Sequence, residues 1–188
     1  MQSRNFLILL IITLFLIPTS LAGDIVAGED VNPSANDAPF SISERTSPSV
    51  DGATWSLSIV MDDDAHDNGT TFEITTQVCT NNGVCDPPVL MGATVDGKEH
   101  SVSVTPPSDH TYVNWKVKAI YSDDNYTNYP NGDWYKTWSS CYFQQDSGWG
   151  GADYDGAKCD VESEKTPGFG LAIGVASVAL AVAFTRRD

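Results

Sequence analysis

The most regular stretch of this 188-residue chain reads Val113-Asn114-Trp115-Lys116-Val117-Lys118-Ala119-Ile120-Tyr121. Its odd-numbered positions are apolar, whereas Asn114, Lys116 and Lys118 lie between them. Successive side chains of a β-strand point to opposite faces, so a period of two residues predicts a strand with one buried face. Because such a sheet must cover its apolar face with a second layer, the stretch favours an all-β fold.

Shorter runs with the same period lie on both sides of this stretch. They predict strands at 40–42, 55–61, 71–78 and 134–143, and Asp96-Gly97 predicts a hairpin between strands at 89–95 and 98–104. Seven short strands within about 105 residues are typical of a β-sandwich. We therefore predict a single β-sandwich domain over residues 40–145.

The run 113–119 resembles the penultimate strand of fibronectin type III domains. The resemblance implies a seven-stranded fibronectin type III/Ig-like sandwich. The sequence departs from that family because Val113 stands where a tyrosine is usual, and Tyr112 would point to the other face. Cys79 and Trp115 are also too far apart for the Cys–Trp–Cys core of immunoglobulin domains. The resemblance therefore bears on the fold and identifies no ligand.

Residues 1–22 have the pattern of a secretory signal peptide. Arg4 supplies a positive charge, 6–17 are apolar, and Ser20-Leu21-Ala22 is a small-x-small cleavage site. The following segment, 23–39, is polar and without periodicity, which predicts a disordered leader.

The C-terminal segment predicts a membrane anchor. Residues 169–184 are uncharged and almost entirely apolar, and Arg186 and Arg187 follow them. This length is at the short limit for crossing a bilayer, and the paired arginines should stay in the cytoplasm. The domain would then lie outside the cell, joined to the anchor by a Gly- and Asp-rich stalk at 146–166.

The same tail resembles the PGF-CTERM sorting signal of archaeal surface proteins. The resemblance lies in Pro167-Gly168-Phe169, the short apolar helix and the terminal arginines. The resemblance implies that an archaeosortase-like enzyme recognises the tripeptide in the sorting signal 167–188. It also implies that the tail is cut off and replaced by a prenyl-type lipid. The alternative is an ordinary transmembrane anchor in which Pro-Gly begins the helix.

The charge of the chain is strongly negative. Asp and Glu total 25 against 10 Lys and Arg, which gives a net charge of −15. Such a surface repels phosphates, so we predict no nucleic-acid partner. A solvated exterior and adaptation to salty water are both consistent with this composition.

All four cysteines lie in the predicted exported part, which indicates two disulfides. Of the three possible pairings we favour Cys79–Cys85 with Cys141–Cys159, because both close local loops. A zinc site is the weaker alternative, since neither a cysteine nor a histidine pair has the spacing of zinc ligands.

Two acidic loops are predicted to meet at the end of the sandwich that faces away from the membrane. Their carboxylates form a candidate Ca²⁺ site made of Asp62, Asp64, Asp67, Asp123 and Asp124. The first loop does not match the EF-hand pattern, and a merely solvated acidic loop is the alternative. The same loops contain two sequons for N-glycosylation, at Asn68 and Asn125.

These features predict a membrane-anchored cell-surface protein with an extracellular binding or structural module. Its ligand would be an unidentified extracellular protein or glycan. We predict no catalytic residues, because the histidines are scattered and the neighbours His66–Asp67 and Asp109–His110 lack a nucleophile. The alternative is a surface-anchored carbohydrate-active or hydrolytic domain. A glycan platform would use the aromatic residues Tyr126, Tyr129, Trp134, Tyr135, Trp138, Tyr142 and Trp149.

Overall fold

The computed structural model describes residues 26–34, 37–157 and 159. This part of the chain is built from antiparallel strands and one short helix, and it is all-β as predicted. The elements are β1 (Phe40–Arg45), β2 (Trp55–Met61), α1 (Asp63–Asp67), β3 (Thr71–Thr80), β4 (Val89–Leu90), β5 (Thr94–Asp96), β6 (Glu99–Val104), β7 (His110–Ile120), β8 (Tyr126–Tyr129), β9 (Tyr135–Trp138), β10 (Tyr142–Gln144) and β11 (Gly148–Gly150).

The strands form two larger sheets and a separate hairpin. One sheet has the order β1-β2-β6-β5, and the other has the order β4-β3-β7-β8. Strand β9 also pairs with β7, so β8 and β9 share one edge: β8 opposes Val117–Ile120 and β9 opposes Tyr112–Trp115. Strands β10 and β11 pair only with each other in the described part of the chain.

Alternating residues of both larger sheets form one hydrophobic core. Trp55, Leu57 and Ile59 of β2 are completely buried, as are Val113, Trp115 and Val117 of β7. Each large apolar side chain that is fully buried contributes about 1.5–3 kcal/mol. The period of two seen in the sequence therefore identifies the buried face of β7 correctly.

The end of the domain differs from the sequence prediction in three places. The polar loop predicted to precede the last strand contains β8, and the predicted strand 134–143 is divided into β9 and the start of β10. The predicted stalk contains β11, which folds back on β10. This return depends on glycine, because a Cβ at Gly150 would lie 2.7 Å from the Tyr142 hydroxyl.

Part of the segment predicted as a disordered leader packs on the domain. The Asp30 Oδ1 atom accepts a 2.8 Å hydrogen bond from the Trp138 backbone N–H, and its Oδ2 atom accepts from Arg45 and Ser47. Val31 forms an antiparallel bridge with Lys136. The three hydrogen bonds to the Asp30 carboxylate hold this part of the segment on the domain, and composition alone does not reveal them.

The predicted signal peptide and sorting signal, including Pro167, Gly168 and Phe169, lie outside the described residues. Within the described ranges, we find no helix that is long and apolar enough to span a membrane.

Candidate functional site

A cleft of about 520 Å³ opens at the end of the domain where β3 finishes and β7 begins. This volume is within the range of small-molecule sites, about 300–1,000 Å³. One wall is the loop that follows β3, and the other is the β10–β11 hairpin. The lining residues are Thr80, Asn81, Asn82, Gly83, Thr111, Tyr112, Phe143, Gln144, Gln145 and Asp146.

Each wall of the cleft is held by a disulfide. Cys79 pairs with Cys85 around the loop 80–84. Cys141, which precedes the hairpin, pairs with Cys159, which follows it. This is the pairing that the sequence favoured. Covalent closure reduces the conformational freedom of both walls, and a site that is ordered before binding loses less entropy when a ligand arrives.

Two asparagines in the first wall have fixed side-chain orientations. The Asn81 Oδ1 atom accepts from the Phe143 backbone N–H at 2.8 Å and from the Thr111 hydroxyl at 3.0 Å. The Asn82 Oδ1 atom accepts from the Val84 backbone N–H at 3.0 Å and from the Thr80 hydroxyl. A backbone N–H can only donate, so the atom that faces it must be the amide oxygen in both residues. Both asparagines line the cleft, and their NH₂ groups are the amide atoms not used in these contacts.

The second wall is supported by contacts between aromatic rings. The Phe143 and Trp149 ring centroids lie 5.3 Å apart in a tilted arrangement, and the Trp149 ring stacks on Tyr154 with centroids 6.3 Å apart. Among the residues that line the cleft, Asp146 is the one charged side chain. The lining of the cleft therefore combines amide, hydroxyl and aromatic side chains with a single negatively charged one.

The structure does not gather the five carboxylates of the predicted Ca²⁺ site. Within the described residues, no group of three or more His, Cys, Asp or Glu side chains is placed to hold a metal ion. The first acidic loop is instead the helix α1, which spreads its carboxylates around a turn. Lys98 pairs with Asp63, and its hydrogen bond lowers the pKa of that carboxyl.

The second acidic loop uses its carboxylate locally. Asp123 accepts hydrogen bonds from the side chain of Asn125 at 2.7 Å and from its backbone N–H at 3.2 Å, which lowers the pKa of Asp123. Asn68 and Asn125, the two sequon asparagines, are both exposed. Their glycosylation stays a prediction.

The aromatic residues proposed for a glycan platform do not share one surface. Tyr135, Trp138 and Tyr142 are buried. Burial raises the pKa of Tyr135 to about 12, and nearby Asp37 adds to this rise. Two others are in contact with lysines: the Lys116 amine lies over the Trp134 ring and the Lys118 amine over the Tyr126 ring. Trp149 is exposed and adjoins the cleft through Phe143.

A Ser–His–Asp arrangement that the sequence did not predict lies beneath the cleft end. The His110 ring bonds Asp51 through Nδ1 at 2.6 Å and Ser49 through Nε2 at 2.8 Å. Ser49 and His110 are both completely buried, and the Ser49 hydroxyl also lies 3.2 Å from the Trp138 carbonyl oxygen. The sequence had offered only Asp109 as the partner of His110, because the contact with 49–51 joins distant segments.

His100 predicts an acid sensitivity of the fold. Its ring is buried beside Phe72, its Nδ1 atom lacks a hydrogen-bond partner in the described structure, and burial lowers its pKa below the ordinary 6.5. The unfolded chain therefore takes up the proton first, and stability is lost as the pH falls below 6.5.

We expect the variant His100→Leu to reduce the loss of melting temperature between about pH 7 and about pH 5. The measurement is a thermal melt of the full-length protein at each pH. The control is His66→Leu, which makes the same substitution at a half-exposed ring. An unchanged pH dependence in His100→Leu would contradict the assignment.

Comparison with known protein families found no family model that matches this chain. Comparison with curated proteins likewise found no match.

Proposed function

We propose that this protein is an exported cell-surface protein whose β-domain is a binding or structural module of the cell envelope. One observation carries the proposal: all four cysteines are paired in disulfides. Disulfides persist in oxidising surroundings and are rare in the cytosol. The acidic composition and the signal-like N-terminus agree with an exterior location.

We further propose that the domain is an Ig-like or fibronectin type III-like sandwich. The order β1-β2-β6-β5 corresponds to the A-B-E-D sheet of constant-type immunoglobulin domains. Strand β3 corresponds to C and strand β7 to F, and β8 and β9 together correspond to G. The single core to which both sheets contribute supports this assignment.

The proposed anchor is the C-terminal segment, either as a transmembrane helix or as a PGF-CTERM-like signal exchanged for a lipid. Seven residues, 160–166, separate the Cys159 disulfide from Pro167. Even a fully extended chain of this length spans only about 25 Å. The cleft end of the domain would then lie near the membrane surface.

The alternative function is a surface-anchored carbohydrate-active or hydrolytic domain. The Ser49–His110–Asp51 arrangement is the observation in its favour, because a serine bonded to a histidine and an aspartate can act as a nucleophile. A nucleophile must also reach its substrate, and Ser49 is completely buried. We therefore place the binding function first.

Intact native cells provide the test of location. We expect a membrane-impermeant biotin reagent to label the protein, and carbonate-washed membranes to retain it. Mass spectrometry of the mature protein should find peptides up to the stalk and none from 170–188.

The outcomes separate the parts of the proposal. A retained C-terminal peptide would overturn processing but leave the anchor in place. A protein recovered from the cytosol with reduced thiols would overturn the surface location.

A further inference from the structure

We propose that the cleft between the loop 80–84 and the β10–β11 hairpin binds a neutral saccharide. This inference rests on the proposed function, because it names the ligand class of a surface binding module. The ligand could be an envelope polysaccharide or the head group of a glycolipid, which present the same hydroxyl chemistry.

The first reason is the set of donors at Asn81 and Asn82. Asn81 and Asn82 both line the cleft, and their amide oxygens already accept from backbone N–H groups of the protein, so the NH₂ groups are the amide atoms that remain for a ligand. Their direction is set before any ligand arrives. A site that hydrogen-bonds a hydroxyl through fixed groups discriminates strongly for that hydroxyl.

The second reason is the complementary set of acceptors. Gln144, Gln145 and Asp146 form the hairpin turn on the opposite wall. A sugar hydroxyl both donates and accepts, so it can lie between amide donors on one wall and carbonyl or carboxylate acceptors on the other. Phe143 and Tyr112 add apolar surface suited to the C–H groups of a sugar ring.

The third reason is charge. The lining has one charged group, Asp146, and the chain as a whole carries −15. Phosphorylated, sulfated and uronic-acid ligands are repelled by such a site. A peptide added to a sheet is recognised through a row of free backbone groups, whereas the polar groups identified here belong to side chains.

The experiment is calorimetric titration of the full-length protein in a zwitterionic detergent without a sugar head group. The probes are maltotriose, cellotriose, mannotriose and N-acetylchitotriose. A second arm uses phosphatidylcholine vesicles with and without a digalactosyl lipid. We expect saturable binding in at least one arm, and the responding arm identifies the source of the saccharide.

The decisive variants are Asn81→Asp and Asn82→Asp. Aspartate keeps the oxygen that accepts from Phe143 or Val84 but loses the NH₂ donors, so the walls are kept while the site is altered. We expect each variant to bind the responding saccharide about tenfold or more weakly. The control is Asn131→Asp, an exposed asparagine away from the cleft, which should bind within about twofold of the parent protein.

Two results would overturn the proposal: no saturable binding in either arm, or equal binding by the parent protein and both cleft variants. Melting curves show whether each variant is folded, and the second asparagine serves if the first variant is not. A negative titration with a protein that is biotinylated on intact cells would reject the saccharide site and leave the surface function standing.

Discussion

Replacing His110 with alanine is expected to destabilise the protein by about 3–5 kcal/mol, because the buried Asp51 carboxylate then loses its closest partner. The ring joins Ser49 and Asp51 and is itself completely buried. Its loss also opens a cavity, since the neighbouring side chains relax only in part. In thermal melts of the full-length protein, we expect the midpoint to fall by roughly 10–20 °C.

The matched control is His66→Ala. His66 also lies beside an aspartate, at 3.4 Å from Asp67, but both side chains are largely exposed. Exposed pairs of this kind contribute about 0–1 kcal/mol. A third variant, Asp51→Asn, keeps the shape and removes the charge, so it separates electrostatics from packing. If His110→Ala and His66→Ala melt alike, the buried network has no role in stability.

Replacing Gly151 with alanine is expected to cost about 2–5 kcal/mol, from backbone strain and overlap together. Gly151 has a φ of 110°, and a Cβ there would overlap the Ser140 carbonyl group. That carbonyl is held in place, because its oxygen accepts a 2.8 Å hydrogen bond from the Asp153 backbone N–H. The hairpin must therefore shift. Hydrogen exchange of the amides in β10 and β11 should accelerate.

Gly156→Ala separates the cost of backbone strain from the cost of steric overlap. Gly156 also has a positive φ, 93°, but a Cβ there would meet no atom within 4 Å. The substitution should cost only the left-handed strain, about 1–2 kcal/mol. Equal effects of the two substitutions would show that the close approach at Ser140 is unimportant.

The core could be predicted from the sequence because it depends on local alternation. Trp55, Leu57, Val113, Trp115 and Val117 are spaced at two residues within their strands, and all are buried. The hairpin at Asp96-Gly97 was also visible, since that dipeptide favours a tight turn.

The contacts of Asp30 and the strand β11 could not be predicted in the same way. In the sequence, Asp30 is one polar residue in a polar segment, and its three donors come from residues 15 to 108 positions away. Strand β11 contains Gly148 and Gly150, which composition assigns to a loop. The Asp30 contacts join distant segments, whereas β11 is a short glycine-containing strand that pairs with β10.

The cleft could not be predicted from the sequence, because it is formed by residues that are far apart along the chain. Its lining comes from three separate segments, 80–83, 111–112 and 143–146. Asparagine and glutamine in these segments look like ordinary loop residues. Only the backbone N–H groups of Phe143 and Val84 reveal that the amide oxygens of Asn81 and Asn82 are already occupied.

The conformation of the first acidic loop differs from the one that the Ca²⁺ prediction assumed. We predicted that the carboxylates of this loop lie near Asp123 and Asp124 of the second loop. The segment instead forms α1 from Asp63 to Asp67, with Asp62 before it. Asp63 and Asp64 in the first helical turn are favourably placed near the positive end of the helix dipole, which explains acidic residues there without a cation.

The Cys141–Cys159 disulfide has a mechanical consequence if the chain is tethered through its C-terminus. Tension applied beyond Cys159 passes through the sulfur–sulfur bond into Cys141, three residues after β9. The intervening segment, which contains β10, β11 and one wall of the cleft, is bypassed. A domain pulled by flow or by a neighbouring cell would strain β9 and β7 first, while the segment 142–157 carries no tension and keeps its shape.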